Sequence, residues 1–338
     1  MQTRWIQTVG AAAALALALG GCNEKGSRQA AQTPEGDQTV YRFGVIAKSQ
    51  SNPVFQAAHT GAKDAAADLI AEYPGVDVQI LIRTPADEDA QRQAEAIRQL
   101  VSEGVDGITV SCTDAQILTG AINDAVEAGV PVVTFDSDAP DSKRFAYYGV
   151  DDVAAGREVM TQLAAQLDGG GVIAVLAGNQ TAPNLQARVR GVREAAAEMD
   201  GVEVKYVFYH PETAPDAAAK VKQEQQNHPE ITGWAMVGGW PLFTTNALDG
   251  VYEHAKVVAV DHLPEQLTYV RDGQVQVLVG QDCYGWGYET INMLFDKVHE
   301  GTEPASPINT FDLQIVTPDN VEQYEGTWDR WLAVGGAG

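Results

Sequence analysis

The sequence predicts an α/β fold of two similar lobes, each built on a doubly wound parallel sheet. Three observations predict it. From Tyr41 onward, short β-branched runs alternate with segments rich in Ala and other good helix formers, the pattern left by a parallel sheet with helices on both faces. The alternation runs through two cycles, and comparable strands end alike, in Val132-Val133-Thr134-Phe135-Asp136 and in Val257-Val258-Ala259-Val260-Asp261. The folding part also holds roughly 300 residues, more than one compact core usually contains.

The first cycle opens with a β run, Arg42 to Ala47, and an Ala-rich helix from about Pro53 to Ile70. Val76 to Ile82 reads as the next strand and Asp87 to Ser102 as a helix. Gly107 to Ser111, Asp114 to Glu127 and Val130 to Phe135 continue strand, helix, strand. Tyr147 to Val150 closes this cycle. The second runs through a helix from Ala154 to Leu167, a strand from Val172 to Leu176 and a helix from Pro183 to Glu198. Val202 to Phe208, Pro215 to Gln226 and Gly233 to Val237 follow as strand, helix and strand, then two strands at Lys256 to Asp261 and Gln274 to Val279. Such runs are too short for helices and bounded by turn residues, which is why they read as buried strands.

The first 22 residues have another logic. One cation, Arg4, precedes an apolar stretch from Gly10 to Leu19, and small residues lead to Leu19-Gly20-Gly21-Cys22. A charged start, a short apolar run and a small-residue cut describe a secretory signal, too short to span a bilayer. The cysteine at the cut resembles a bacterial lipobox, which implies that Cys22 is lipidated and anchors the chain to a membrane in the periplasm or cell envelope. Residues 23–39 are polar, carry Pro34 and lack apolar periodicity, so they read as a flexible tether.

Charge and motif content narrow the function. A formal net charge of −24 repels phosphate backbones and anionic lipid, which argues against nucleic acid as a partner. Beyond Cys22 there are Cys112 and Cys283; an oxidising compartment leaves open both a disulfide and two buried thiols. The triplet Gly169-Gly170-Gly171 precedes a strand, whereas a phosphate loop follows one, so it reads as a turn. No His-Glu-x-x-His, Cys-x-x-Cys or Gly-x-Ser-x-Gly occurs, and neither a metal nor a cofactor is expected.

In open α/β sheets, ligands bind beyond the carboxyl ends of the strands. Residues expected there are Lys48, Ser49, Asn52 and Phe55, then Ser111 to Asp114 and Asp136 to Asp138. The second lobe adds Gly178 to Arg188, Gly239 and Trp240, Asp261 and His262, and Gln281. Carboxylates, amides and guanidinium groups grip sugar hydroxyls in pairs, while a flat aromatic covers the apolar face of a ring.

At these residues the chain resembles the ribose- and galactose-type periplasmic binding proteins of bacterial ABC transporters, from about Val40 to Pro318. Ser51-Asn52-Pro53-Val54-Phe55 is similar to that family's Asn-Pro-Phe-Phe segment, and Val133 to Asp138 to its strand-ending Asp segment. Tyr148-Gly149-Val150-Asp151 resembles its first hinge crossing, and Arg188-Val189-Arg190-Gly191 its Arg-x-Arg-Gly, whose first arginine contacts sugar. Asp261 falls on the strand-ending Asp of the second lobe and Gln281 on a crossing glutamine. The resemblance implies three crossings, near Gly149-Val150, Gln281 and Phe311-Asp312. It places residues 40–149 and 282–311 in the N-terminal lobe, and 150–281 and 312–334 in the C-terminal lobe.

The ligand site implied is Lys48, Asn52, Phe55, Asp136, Arg188, Trp240, Asp261 and Gln281. Departures bear on the ligand: Ser137 stands where ribose binders carry Arg, and Gly239-Trp240 where they carry Asn-Asp. A lysine at position 48 is similar to relatives that take furanose-like quorum signals. Each residue also has a plainer reading: Asp136 and Asp261 as helix caps, Arg188 and Lys48 as solvated charges, Trp240 and Trp286 as core. The expected function is non-enzymatic capture of a monosaccharide, a pyranose or cyclitol before ribose, by a monomer serving an ABC permease. A sensory protein presenting ligand to a membrane receptor, and a sugar-modifying enzyme using Asp136 and Asp261, are the rivals.

Overall fold

The computed structural model describes residues 38–332, so the leader, Cys22 and nearly all of the tether lie outside the described residues. The chain begins with β1 (Thr39–Ile46), α1 (Pro53–Glu72), β2 (Val76–Ile82), α2 (Ala90–Ser102), β3 (Gly107–Val110), α3 (Ala115–Glu127), β4 (Val132–Phe135) and β5 (Ala146–Gly149). A second series follows: α4 (Asp152–Ala164), β6 (Gly171–Ala177), α5 (Pro183–Ala197), β7 (Val202–Tyr209), α6 (Ala214–Asn227), β8 (Ile231–Met236), β9 (Lys256–Val260), α7 (Pro264–Arg271) and β10 (Val277–Gly280). The chain then adds α8 (Cys283–Phe295), β11 (Ile308–Thr310), β12 (Gln314–Val316) and α9 (Glu325–Trp331).

Two six-stranded sheets result, ordered β11-β5-β4-β3-β1-β2 and β12-β10-β9-β8-β6-β7. The order within each is the same once the series are aligned, so the second lobe repeats the first. All neighbours in the first sheet are parallel. In the second, β12 runs antiparallel to β10, a departure from the all-parallel expectation. It arises because β12 enters its sheet directly from β11, with no crossover helix to reverse the chain. The chain passes between sheets three times, between β5 and α4, between β10 and α8, and between β11 and β12.

Close helix contacts fix the layers. Glycines make them possible: a Cβ on Gly61 of α1 would lie 2.1 Å from the Tyr284 carbonyl, and one on Gly287 of α8 only 1.8 Å from that of Ala58. The second lobe repeats the device, with Gly156 of α4 against the Arg188 carbonyl and Gly191 of α5 against that of Val153, each at 2.0 Å. A further apolar cluster, including Phe55, Phe135, Leu263, Trp286, Trp328 and Trp331, holds residues of both lobes.

Several expected boundaries move, each for a local reason. Helix α2 starts at Ala90 rather than Asp87, because Asp89 accepts the Gln91 and Arg92 amides as its cap. That leaves Glu88 in the loop before it. Strand β10 starts at Val277 rather than Gln274, because the chain first turns at Gly273, φ 72°, and Val275 donates its amide to the Tyr269 carbonyl. The glycine triplet is a turn, with Gly169 and Gly170 at positive φ and Gly171 opening β6. Cys112 and Cys283 are both buried free thiols, in different apolar clusters.

Candidate functional site

The strand ends build the site. Asp136 follows β4 and Asp261 follows β9, and both adopt left-handed backbone, φ 55° and 71°. That conformation is unfavourable for a residue with a Cβ, and its use at matching places in both lobes marks positions held for a purpose. Neither Asp is a helix cap: Leu263 occupies that place before α7, and a loop follows Asp136.

Asp136 joins the lobes. It accepts the Ser111 hydroxyl at 2.7 Å from its own lobe and the Asn184 amide at 3.1 Å from the other. Arg188 Nη2 stands 4.0 Å away. Only 3% exposed, Arg188 is no surface arginine. Its Nε donates to Asp152 at 2.8 Å, Nη1 to the Val237 carbonyl at 3.1 Å and Nη2 to Gln281 Oε1 at 2.9 Å. Gln281 in turn donates to Asp261 at 2.7 Å. Burial opposes the charge on Arg188, but Asp152, Asp136 and Asp261 outweigh it and raise its pKa. Burial pushes the Asp152 carboxyl up to about 6 despite Arg188. Asp261 is likewise raised by burial, with Arg188 and Gln281 opposing.

Lys48 is buried too, at 2% exposure, which removes the solvated reading. Its ammonium donates to Glu212 Oε2 at 3.4 Å across the cleft and lies 3.8 Å from Glu88. Asn52 caps α1 by accepting the Val54 amide through its carbonyl oxygen, so its amino group is the part available to a ligand.

Aromatic rings flank these polar groups. Trp286 packs against Phe55 and Phe135, with centroids 6.0 and 6.2 Å apart, and so fills the core role expected of it while also lining the cavity. Trp240 stands edge-on to His210 at 5.1 Å and belongs at once to the second lobe's core and to the cavity wall. Glycine is needed beside it: a Cβ on Gly238 or Gly178 would lie 2.3 or 2.8 Å from the indole.

The structure brings all eight expected residues, Lys48, Asn52, Phe55, Asp136, Arg188, Trp240, Asp261 and Gln281, to one cavity between the lobes. It adds Val54, Asn184, Leu185, Glu212, Gly238 and Trp286. Glu212 is not among the residues expected from the sequence, because it follows β7, the edge strand of its sheet, and the strand-end expectation rests on the central strands. A carboxylate just past any strand of the series was the available signal. The cavity measures about 20 Å³, space for a single water. Anything larger enters only when the lobes part. Paired charges, fixed donors and acceptors, and flanking rings suit a neutral polyhydroxylated ring.

Comparison with known proteins agrees with this architecture. The chain is 26% identical to the ribose import binding protein of Bacillus subtilis over 173 residues, 51% of this chain and 54% of that protein. It is 27% identical to a D-ribose/D-allose-binding protein of Pseudomonas aeruginosa over 171 residues, 49% of this chain and 51% of that one. The aligned chain thus spans about half the length of these curated relatives. A solute-binding protein of an ABC transporter from Burkholderia graminis, solved with D-arabinose, superposes with a TM-score of 0.77 at 26% identity, covering 86% of this chain and 99% of that one. Residues 43–302 match the family described as the periplasmic binding protein domain, and the chain belongs to that family.

Proposed function

We propose that the chain is an extracytoplasmic solute-binding protein that captures a neutral sugar or cyclitol between its lobes and delivers it to an ABC permease, without turnover and as a monomer. The observation that carries this reading is the convergence of Asp136, Arg188 and Asp261, from both lobes, on one cavity flanked by Phe55, Trp286 and Trp240. Two curated relatives bind ribose, and a structural neighbour holds D-arabinose, which supports a sugar as the ligand class. The mechanism is hinged closure about three chain crossings. Ligand stabilises the closed form only through its greater affinity for that form.

Calorimetry and thermal shift against D-ribose, D-allose, D-arabinose, D-glucose, D-galactose and myo-inositol test the reading. A pyranose or cyclitol should bind most tightly, because Trp240 offers a flat apolar platform in place of hydrogen bonds. Trp240→Ala should weaken that ligand about tenfold, the effect of losing roughly 1–2 kcal/mol of aromatic contact. Ribose as the tightest ligand, or unchanged affinity in the variant, would overturn the role given to Trp240. Binding of none of the six would overturn the sugar reading for this panel.

The membrane attachment proposed for Cys22 concerns a residue outside the described region. Stable anchoring takes two lipid signals, and lipoprotein processing supplies more than one acyl chain. Cys22→Ala should leave the chain unprocessed or free of the membrane fraction; fractionation and the mass of the mature N-terminus decide it. Unchanged processing with full membrane retention rejects the anchor.

A further inference from the structure

Two carboxyl groups outside the sugar-gripping set face each other across the cleft. Glu88 follows β2 in the first lobe, and Glu212 follows β7 in the second. Glu212 lines both the inner cavity and an outer cleft of about 540 Å³, whose walls include Ser51, Asp87 and Glu88 on one side and Gly178 and His210 on the other. The pair therefore stands where that cleft meets the cavity. Both lie beside Lys48, at 3.4 Å for Glu212 and 3.8 Å for Glu88, with side chains 2% and 15% exposed. Glu212 Oε1 is further fixed by the Asn179 amide at 3.0 Å. Glu88 Oε1 has no hydrogen-bond partner among the described residues, and Lys48 at 3.8 Å is the cation beside it.

One ammonium cannot offset two buried carboxylates, and such pairs hold a single proton between them. We propose that Glu88 and Glu212 are positioning residues that hold Lys48 at the cavity wall and latch the lobes through one shared proton. Closure then takes up that proton from solvent, whichever ligand the cavity receives.

The neighbouring charges agree with this assignment. Burial raises the Glu88 carboxyl, Lys48 opposes, and Glu212 with Asp136 adds to the rise, which carries it up to about 8. Burial also acts upward on Glu212, but Lys48, the bond with Glu88 and the Asn179 amide leave it below the usual value. Lys48 stays charged, because Glu212, Glu88 and Asp136 together outweigh its burial and the repulsion of Arg188. Burial lowers the His210 pKa, with the Pro211 carbonyl and Glu212 opposing. Asp87 is a further carboxylate on the rim.

When the lobes part, both glutamates meet water and ionise as ordinary carboxylates. The closed form therefore binds more protons from just above the ordinary carboxylate value to about pH 8. The contribution to closure is complete below that window, falls steadily as pH rises through it and is lost above its upper end. Small-angle scattering of the full chain without added ligand, at pH 6 and pH 9, reads this directly. The closing equilibrium should fall by roughly tenfold to a hundredfold over that interval, seen as a larger radius of gyration at pH 9. Glu88→Gln should stay compact at both values, because a neutral amide there takes the place of the protonated carboxyl beside Lys48 and Glu212. Glu212→Gln should also lose the pH response, since Glu88 then pairs with Lys48 alone. Identical wild-type scattering at the two pH values, or a wild-type response in both variants, would overturn the latch.

Discussion

Arg188→Ala is expected to weaken ligand binding at least tenfold and to weaken the fold at the same time. The guanidinium is the only cation bonded to Asp152 among the described residues, and it also holds Gln281, which fixes Asp261. Its loss strands a largely buried carboxylate and frees a buried amide. Removing one partner of a buried pair destabilises by about 3–5 kcal/mol, so denaturant unfolding should show a clear fall in midpoint. Affinity for the tightest ligand of the panel should drop at least tenfold, the least expected from a lost charge-assisted contact. Arg188→Lys separates the two effects: it keeps the charge and most stability, but loses the fork that reaches Asp152, the Val237 carbonyl and Gln281 together. Asp136→Ala should weaken binding to a similar degree. Wild-type affinity in Arg188→Lys and Asp136→Ala would remove both residues from the site.

Gly156→Val should damage the same site from a distance. The added Cβ would meet the Arg188 carbonyl at 2.0 Å and its Cα at 2.8 Å, and these are backbone atoms that cannot swing aside. Helix α5 must move away from α4, carrying Arg188 off Asp152. Overpacking of this kind costs about 1–3 kcal/mol and occasionally more, and a clash with backbone belongs at the upper end. Gly120→Ala is the matched control. No atom lies within 4 Å of a Cβ there, on the exposed face of α3, so the change should be neutral or stabilising by up to about 1 kcal/mol through helix propensity. Unfolding curves for the two variants check the pair; equal midpoints would mean that the α4–α5 contact is not tight.

The fold was readable because its signals are local. Buried parallel strands require short β-branched runs, and their covering helices require Ala-rich stretches between them, so composition along the chain marks each element. The strand-end rule then led to Asp136, Asp261 and Gln281 from position alone. Boundaries such as those of α2 and β10 were less legible, because a cap at Asp89 and a backbone turn at Gly273 decide them, not hydrophobic pattern. Glu88 and Glu212 were invisible as a pair. Each sits beyond an edge strand of a different lobe, 124 positions apart, and a carboxylate past a strand end says nothing of which distant group it will meet.

The sequence by itself determined two repeated α/β lobes, the strand ends that face the cleft and the eight residues gathered there. Burial, pairing and closeness were decided by tertiary structure. Whether Arg188 is a solvated charge or a buried clamp depends on Gly156 and Gly191 letting two helices touch. Whether Lys48 is free or held depends on a carboxylate from the opposite lobe. The physical reason is the same in both cases: periodicity and propensity act over a few neighbouring residues, whereas desolvation and charge pairing depend on which distant groups the folded chain brings within a few ångströms.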